Sequence, residues 1–418
     1  MARVIKRDGE RVLINGEKIQ NAIEKAAKAT YNRELMPVEI YNIQRITYDI
    51  LTVIDTEEDI TVEEIQDIVE EFLMCNNMHD VAKNYILYRA ERSRVRQLRS
   101  DLITRIREKL DGLHDEKQNA NLDEKSFGGR KGEADSVMMK ELALYGGYMS
   151  EQSAKLHTEN IVYIHDLDHF VLGDHNCLTC PIDDLLANGF NTRQTDIRPA
   201  QSVNTAFQLI AVIFQLQSLC QFGGVSASHL DWSLVPYVRK SFFKHFRDGM
   251  KYVEEEELPD NLNDTLSIED KLYKIHKKAY KYAYDMTEKE VRQGAEGLYH
   301  NLNSLQSRSG NQLPFSSINY GTCTSTEGRM VTKALLEASI EGVGAKHKTS
   351  VFPCGIFQMK KGVNRKPGDK NYDLFRLALK STALRLYPNY ANCDWSGNAG
   401  YDENDPRTYF STINKTVA

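Results

Sequence analysis

His165, Asp166, Asp168, His169, His175, Cys177 and Cys180 fall within sixteen residues of one another. A packed core selects Val, Ile, Leu and Phe, and a buried imidazole or carboxylate there needs a partner. Chemistry that moves protons and electrons needs imidazoles, carboxylates and thiols close together. The stretch therefore points to redox chemistry on a polar substrate. Of the seven cysteines, only Cys177 and Cys180 stand at a suggestive spacing. One C-x-x-C supplies at most half of a four-ligand zinc site, and the sequence holds no second pair. A generic dithiol oxidoreductase would need a readily reduced Cys177–Cys180 disulfide. Cys177, between His175-Asn176 and a strand-like run, is a better redox candidate than Cys75, which falls inside a helical pattern. Cys180 reads as a packed thiol or as a resolving partner for Cys177. Asp166, Asp168 and His169 also read as structural groups that cap and bridge strand ends.

These residues need a scaffold larger than one core. At 418 residues the chain calls for two or more domains. With 41% hydrophobic and 27% charged residues it is composed like a soluble protein. No apolar run approaches the ~20 residues of a membrane span. The N-terminus lacks the apolar stretch of a signal peptide, so the cytoplasm is the expected location. A net charge of −6 argues against a nucleic-acid surface. It leaves room for a local basic pocket that holds nucleotide phosphates.

Residues 1 to about 95 read as a small α+β unit. Short alternating runs at 3–6 and 11–14 flank Asp8-Gly9, a hairpin signal. Helices are expected from Glu17, from Pro37, after the Thr61/Glu64 capping box, and from Asp80 through Leu110. Residues 96–135 read as a connecting helix and linker, with 111–135 irregular. Beyond them, 202–220 is apolar on most faces, the pattern of a buried helix, with Gly223-Gly224 as its C-terminal stop. Glu254–Glu257 reads as a solvated loop and 266–303 as a long polar helix. Strands at 316–321 and 350–359, alternating with helices at 331–341 and 372–386, indicate an α/β architecture. Within the first hairpin, Lys6 and Arg7 read either as solvated charges or, with Lys18 on the next helix, as a phosphate pocket.

The V-I-K-R-D-G start, the Glu17-Lys18-Ile19 helix opening and Tyr85 to Arg89 resemble the ATP-cone, an allosteric nucleotide sensor of many ribonucleotide reductases. The resemblance covers residues 1–95 and implies ATP or dATP as effectors, held by Val4, Lys6, Arg7, Asp8 and Lys18. Longer strings resemble the anaerobic, class III ribonucleotide reductases. They are 123–133, Tyr163–Asp168, His175-Asn176-Cys177, Asp184–Phe190, Gln221–Ser226 and 310–315, continuing to about Ser411. The family resemblance implies an incomplete ten-stranded α/β barrel over residues 136–418. It implies a homodimer that reduces ribonucleoside triphosphates. It also implies a glycyl radical installed by a radical-SAM activating enzyme, and a thiyl cysteine that abstracts the ribose 3′-hydrogen. By position Cys177 matches the second, reducing cysteine. His165, His175 and Asn176 are then expected to line the substrate pocket.

The chain departs from that pattern after Thr412. The family's Met-Gly-Cys-Arg, Arg-x-Cys-Gly-Tyr and four-cysteine zinc segments do not occur in the 418 residues, so residues for the glycyl radical and the zinc are absent. The sequence reading is an N-terminal part of the reductase, inactive alone, from an interrupted gene. The alternatives are one half of a split reductase with a separate C-terminal chain, a deliberately shortened chain, and a non-catalytic nucleotide-binding or dimerising module.

Overall fold

The computed structural model describes residues 3–7, 9–111, 126–308, 311–395 and 400–412. It divides into two compact units, Met1–Thr104 and Arg105–Ala418.

The first unit opens with the hairpin β1 (Arg3–Ile5) and β2 (Arg11–Leu13), closed where Gly9 takes a positive φ and donates to the Lys6 carbonyl. Helix α1 (Gly16–Tyr31) starts at Asn15, whose side chain accepts from Lys18 N. Helix α2 (Pro37–Ile54) starts on Pro37. A third strand, β3 (Asp59–Thr61), lies parallel to β1 and was not anticipated from sequence. It is three residues long, and its last residue doubles as the cap of α3 (Val62–Cys75), where Thr61 and Glu64 form the capping box. Helix α4 (His79–Asp111) follows. Ile23, Ile43, Ile46, Ile50, Val69 and Leu73 build the core of this unit.

The second unit begins with α5 (Phe127–Tyr145), α6 (Glu151–Thr158) and α7 (Leu167–Phe170). Residues 127–135, expected to be irregular, are the first turns of α5. Ser126 caps them by accepting from Gly129 N, and a side chain at Gly128 would collide with Asn311. There follow β4 (Leu178–Thr179), α8 (Ile182–Asn188), the short antiparallel pair β5 (Phe190–Asn191) and β6 (Asp196–Ile197), and the buried helix α9 (Val203–Ser218). Then come β7 (Val225–Ala227), α10 (Leu230–Ser233), α11 (Val235–Gly249), α12 (Lys271–Lys274), α13 (Lys277–Ser304), β8 (Ser316–Tyr320), α14 (Thr326–Glu341), β9 (Cys354–Met359), α15 (Tyr372–Arg385) and β10 (Asn389–Asn392). Gly223-Gly224 is not the stop of α9, which is capped at Leu219. The Glu254–Glu257 run is not simply solvated either. Glu254 Oε1 accepts from Lys278 N and Ala279 N and so caps α13.

Five strands form one all-parallel sheet in the order β10-β9-β8-β7-β4. The order is strictly sequential, so every right-handed crossover falls on the same side. Helices α9, α13, α14 and α15 accordingly pack edge to edge as one layer. That layer buries Val225, Ile318, Tyr320 and Phe357. Side-chain alternation turns Thr179, Ser226, Ser317, Asn319 and Gln358 to the other face. A parallel sheet is ordinarily apolar on both sides. This one is not.

Candidate active site

Cys177 sits immediately before β4, where β4 and β7 come together. The ladder runs on past the named strands: Leu178 N donates to Gly224 O at 3.0 Å and Phe222 N to His175 O at 3.1 Å. Gly223 is required here. A Cβ on it would stand 1.4 Å from the carbonyl oxygen of Asn176. This close approach aims the Gly224 N–H at Cys177 Sγ, 3.4 Å away. The thiol in turn donates to Asn176 Oδ1 at 3.5 Å. Cys177 is half-buried, whereas Cys180 is buried and its thiol is pushed up to about 11 by that burial. Cys180 is therefore an inert packed thiol, which removes the generic dithiol reading of C-x-x-C.

The structure adds Arg308, which sequence reasoning missed. Its guanidinium stacks 4.9 Å from the ring of Phe222 and 6.0 Å from that of Phe315, and donates to the Phe222 carbonyl. Burial pulls Arg308 below its ordinary value, while Asp166, Cys177 and Asp168 act in the opposite direction. The guanidinium therefore lies within electrostatic reach of both carboxylates and the thiol. Asp168 is held by Ser136 Oγ at 2.6 Å, and His169 stacks on Phe222 at 3.9 Å. The other sequence candidates are placed unevenly. Asn176 is at the thiol. His165 Nδ1 stands 2.5 Å from Asp166 Oδ2, with the imidazole largely in solvent. His175 contributes its backbone carbonyl, and its side chain is exposed.

Asn319 and Gln358 on the polar face hold the end of the described chain. Asn319 exchanges hydrogen bonds with the Thr412 backbone at 3.1 Å each way, and Gln358 Nε2 donates to Phe410 O at 3.0 Å. A second polar cavity, about 380 Å³, opens at the carboxyl ends of β4 and β7, lined by Asp183, Ser228, His229 and Arg407 among others. His229 bridges Ser228 Oγ (2.6 Å) and Asp183 Oδ2 (2.7 Å). Burial raises Asp183, but the hydrogen bonds from His229 and Ser233 outweigh it and leave the carboxyl below its usual range. Arg407 is paired with Asp405 at 2.7 Å, so its charge is already balanced.

The first unit carries a cavity of about 670 Å³ between α1 and α4. Lys18, Lys25, Tyr85, Tyr88, Arg89 and Arg92 dominate its lining. Arg89 is paired with Asp67 (2.5 Å) and Glu70 (2.8 Å). Lys18 and Lys25 have no ion-pair partner among the described residues. Of the expected nucleotide ligands, only Lys18 lines this cavity. Arg7 reaches its rim, donating to Gln66 at 3.5 Å while paired with Glu63 at 2.6 Å. Lys6 pairs with Glu10 at 2.5 Å. Val4 is a core residue, registered between Val12 and Ile60, because the alternation that made it conspicuous in sequence turns it inward. Asp8 lies outside the described residues.

Comparison with known proteins agrees with this arrangement. Residues 2–94 match the ATP cone domain family, and residues 118–410 match the family described as anaerobic ribonucleoside-triphosphate reductase. A nucleotide-sensing cone followed by an α/β unit with a thiol at the sheet places the chain among the ribonucleotide reductases. Within them it belongs to the anaerobic ribonucleoside-triphosphate reductase family. It is 32% identical to the anaerobic ribonucleoside-triphosphate reductase of Haemophilus influenzae over 396 residues, 94% of this chain and 52% of that protein. It is 29% identical to that of Salmonella typhimurium over 398 residues, 94% of this chain and 51% of the relative. Among solved structures, the anaerobic ribonucleotide reductase of Thermotoga maritima in complex with dATP and CTP covers 72% of this chain and 50% of its own, at 15% identity and a TM-score of 0.45. The chain spans about half the length of the curated relatives it matches. No described helix is long and apolar enough to cross a membrane.

The residues present do not fit the zinc site or the glycyl radical that the resemblance implies. The described cysteines are all unpaired and none gathers with three others. The Arg-x-Cys-Gly-Tyr string is not in the sequence.

Proposed function

We propose that the second unit provides the ribose-facing part of an anaerobic ribonucleoside-triphosphate reductase, with Cys177 as a thiol that supplies reducing equivalents to the bound ribonucleotide. The observation that carries this reading is the thiol itself. It is half-buried at the polar face of the sheet, its sulfur meets the Gly224 N–H, and a buried Arg308 faces it. Asn176 holds the thiol proton. Arg308 fixes the Phe222–Gly224 turn through the Phe222 carbonyl and balances Asp166 and Asp168. The homodimer and the activating enzyme belong to the same proposal.

The radical-bearing segments are not among these 418 residues, so the assay supplies them. The chain is mixed with an activating enzyme, S-adenosylmethionine, reductant and CTP, with and without a polypeptide carrying the Met-Gly-Cys-Arg and Arg-x-Cys-Gly-Tyr segments. Deoxycytidine triphosphate forming only with that polypeptide, and lost in Cys177→Ala, supports the reading. No turnover in either mixture favours the non-catalytic module.

We further propose that the first unit binds ATP or dATP in the cavity between α1 and α4, the phosphates meeting Lys18 and Lys25 and the base lying along Tyr88. Calorimetry on Lys18→Ala and Lys25→Ala is expected to show about tenfold weaker ATP binding for each, the scale of one charge-assisted contact. Unchanged affinity in both variants removes the pocket assignment.

A further inference from the structure

The polar face of the parallel sheet holds two hydroxyls that the fold itself does not use. Ser226 on β7 and Ser317 on β8 are registered directly opposite each other and are 0% and 1% exposed. Neither Oγ has a hydrogen-bond partner among the described residues. A buried hydroxyl without a partner is destabilising, and native proteins keep few of them. Two side by side, at the centre of a sheet, indicate a ligand that donates or accepts at both.

Their position narrows that ligand. Adjacent strands lie about 4.8 Å apart, and two residues along a strand span about 6.6 Å. Cys177 is registered beside Gly224, two residues before Ser226 on the same face. One five-membered sugar ring therefore fits between the thiol and the paired serines, its neighbouring hydroxyls meeting the two Oγ atoms. Thr179, registered with Ser226, extends the hydroxyl row toward the β4 edge. Ser316 provides an internal contrast. Its Oγ is equally buried and unpartnered, but alternation turns it to the helix-packed face, away from Cys177.

We propose that Ser226 and Ser317 are the pair that holds the ribose hydroxyls of the nucleotide beneath Cys177. The inference rests on the substrate reading above and adds to it the groups that select a ribose. It predicts opposite effects on binding and on stability. A group kept for a ligand weakens the empty protein, so its removal stabilises the fold while harming binding.

The test uses the full chain with ATP saturating the first unit. Affinity for CTP is measured by calorimetry, and thermal unfolding is followed without CTP, for Ser226→Ala, Ser317→Ala and Ser316→Ala. Ser226→Ala and Ser317→Ala should each bind CTP about three- to tenfold more weakly, the loss of one hydrogen bond, yet melt higher than the unmodified chain. Ser316→Ala should melt higher with CTP affinity unchanged. If both variants on the polar face bind CTP as well as the unmodified chain, the assignment is overturned while the substrate reading stands. If both melt lower, the serines are structural and the assignment is again overturned. If the unmodified chain binds ATP but no CTP, the substrate reading fails and the serine assignment fails with it.

Discussion

Gly223→Ala is the sharpest perturbation the structure offers. The added Cβ would lie 1.4 Å from Asn176 O and 2.0 Å from its carbonyl carbon, whereas an ordinary contact begins near 3.4 Å. Both atoms are backbone, so no rotamer change relieves the collision. The strands must part by about 2 Å, the difference between 3.4 and 1.4. Three interactions bracket this point: Phe222 N to His175 O, Leu178 N to Gly224 O, and Gly224 N to Cys177 Sγ. A separation of that size breaks them, at about 1 kcal/mol net each. Forcing an extra carbon into packed structure adds about 1–3 kcal/mol. The sum, about 4 kcal/mol or more, is a large part of the ~5–15 kcal/mol that stabilises a typical domain. Urea unfolding of the variant should show a correspondingly lower midpoint with an unchanged slope. The alkylation rate of Cys177, read by peptide mass spectrometry, should rise as the thiol loses its cover. A midpoint within about 1 kcal/mol of the unmodified chain, together with an unchanged Cys177 rate, would refute the close-approach argument.

Gly297, on α13, has nothing within 4 Å of an added Cβ, so Gly297→Ala should stabilise the second unit by about 1 kcal/mol, and a lower urea midpoint would contradict this. Glu290 is raised by burial, but hydrogen bonding and charge from His245, with Ser241, outweigh that and leave it below its ordinary 4.5. A carboxylate lowered in the folded state adds stability that is complete above its unfolded value and is lost as the pH falls through the folded one. Melting temperature should therefore drop below about pH 4.5, and Glu290→Gln should flatten that limb; an equally steep limb in the variant would count against the pairing. Finally, iodoacetamide at pH 8 should label Cys75, Cys177 and Cys220. It should spare Cys180, pushed up to about 11 by burial, and Cys323 and Cys393, pushed up to about 12 chiefly by burial. Rapid labelling of Cys180 would reopen its role as a redox partner of Cys177.

The helices of the first unit were legible because their ends are written in local chemistry: Pro37 at the start of α2, and the Thr61/Glu64 box before α3. Cys177 was legible for the same reason, since a thiol beside His175 and Asn176 stands out within a few residues. What escaped was whatever depends on distant chain segments. Strand β3 has three residues, and only pairing with β1 reveals it. Arg308 acts on a turn 86 residues earlier, and nothing in its own neighbourhood announces that. The lining of the cone cavity was half visible. The Tyr85–Arg89 string was noticed, but Lys25 and Arg92 join it only because α1 and α4 pack together. Val4 was overvalued because an apolar residue in an alternating run is a core residue first.

The sheet's two-sidedness follows from its winding rather than from any single motif. Strands added in one direction with one crossover hand put all helices on one side. The other side then has no helix to bury an apolar surface against, and Thr179, Ser226, Ser317, Asn319 and Gln358 occupy it instead. A doubly wound sheet of the same strands would reverse direction once and cover both faces, leaving ligands only at the strand ends. Here the face itself is the place where a polar ligand can lie along the strands. A thiol at the start of the edge strand β4 therefore meets such a ligand from the side. That is the approach a reducing group needs if it is to reach a carbon of the sugar without displacing the hydroxyls that hold it.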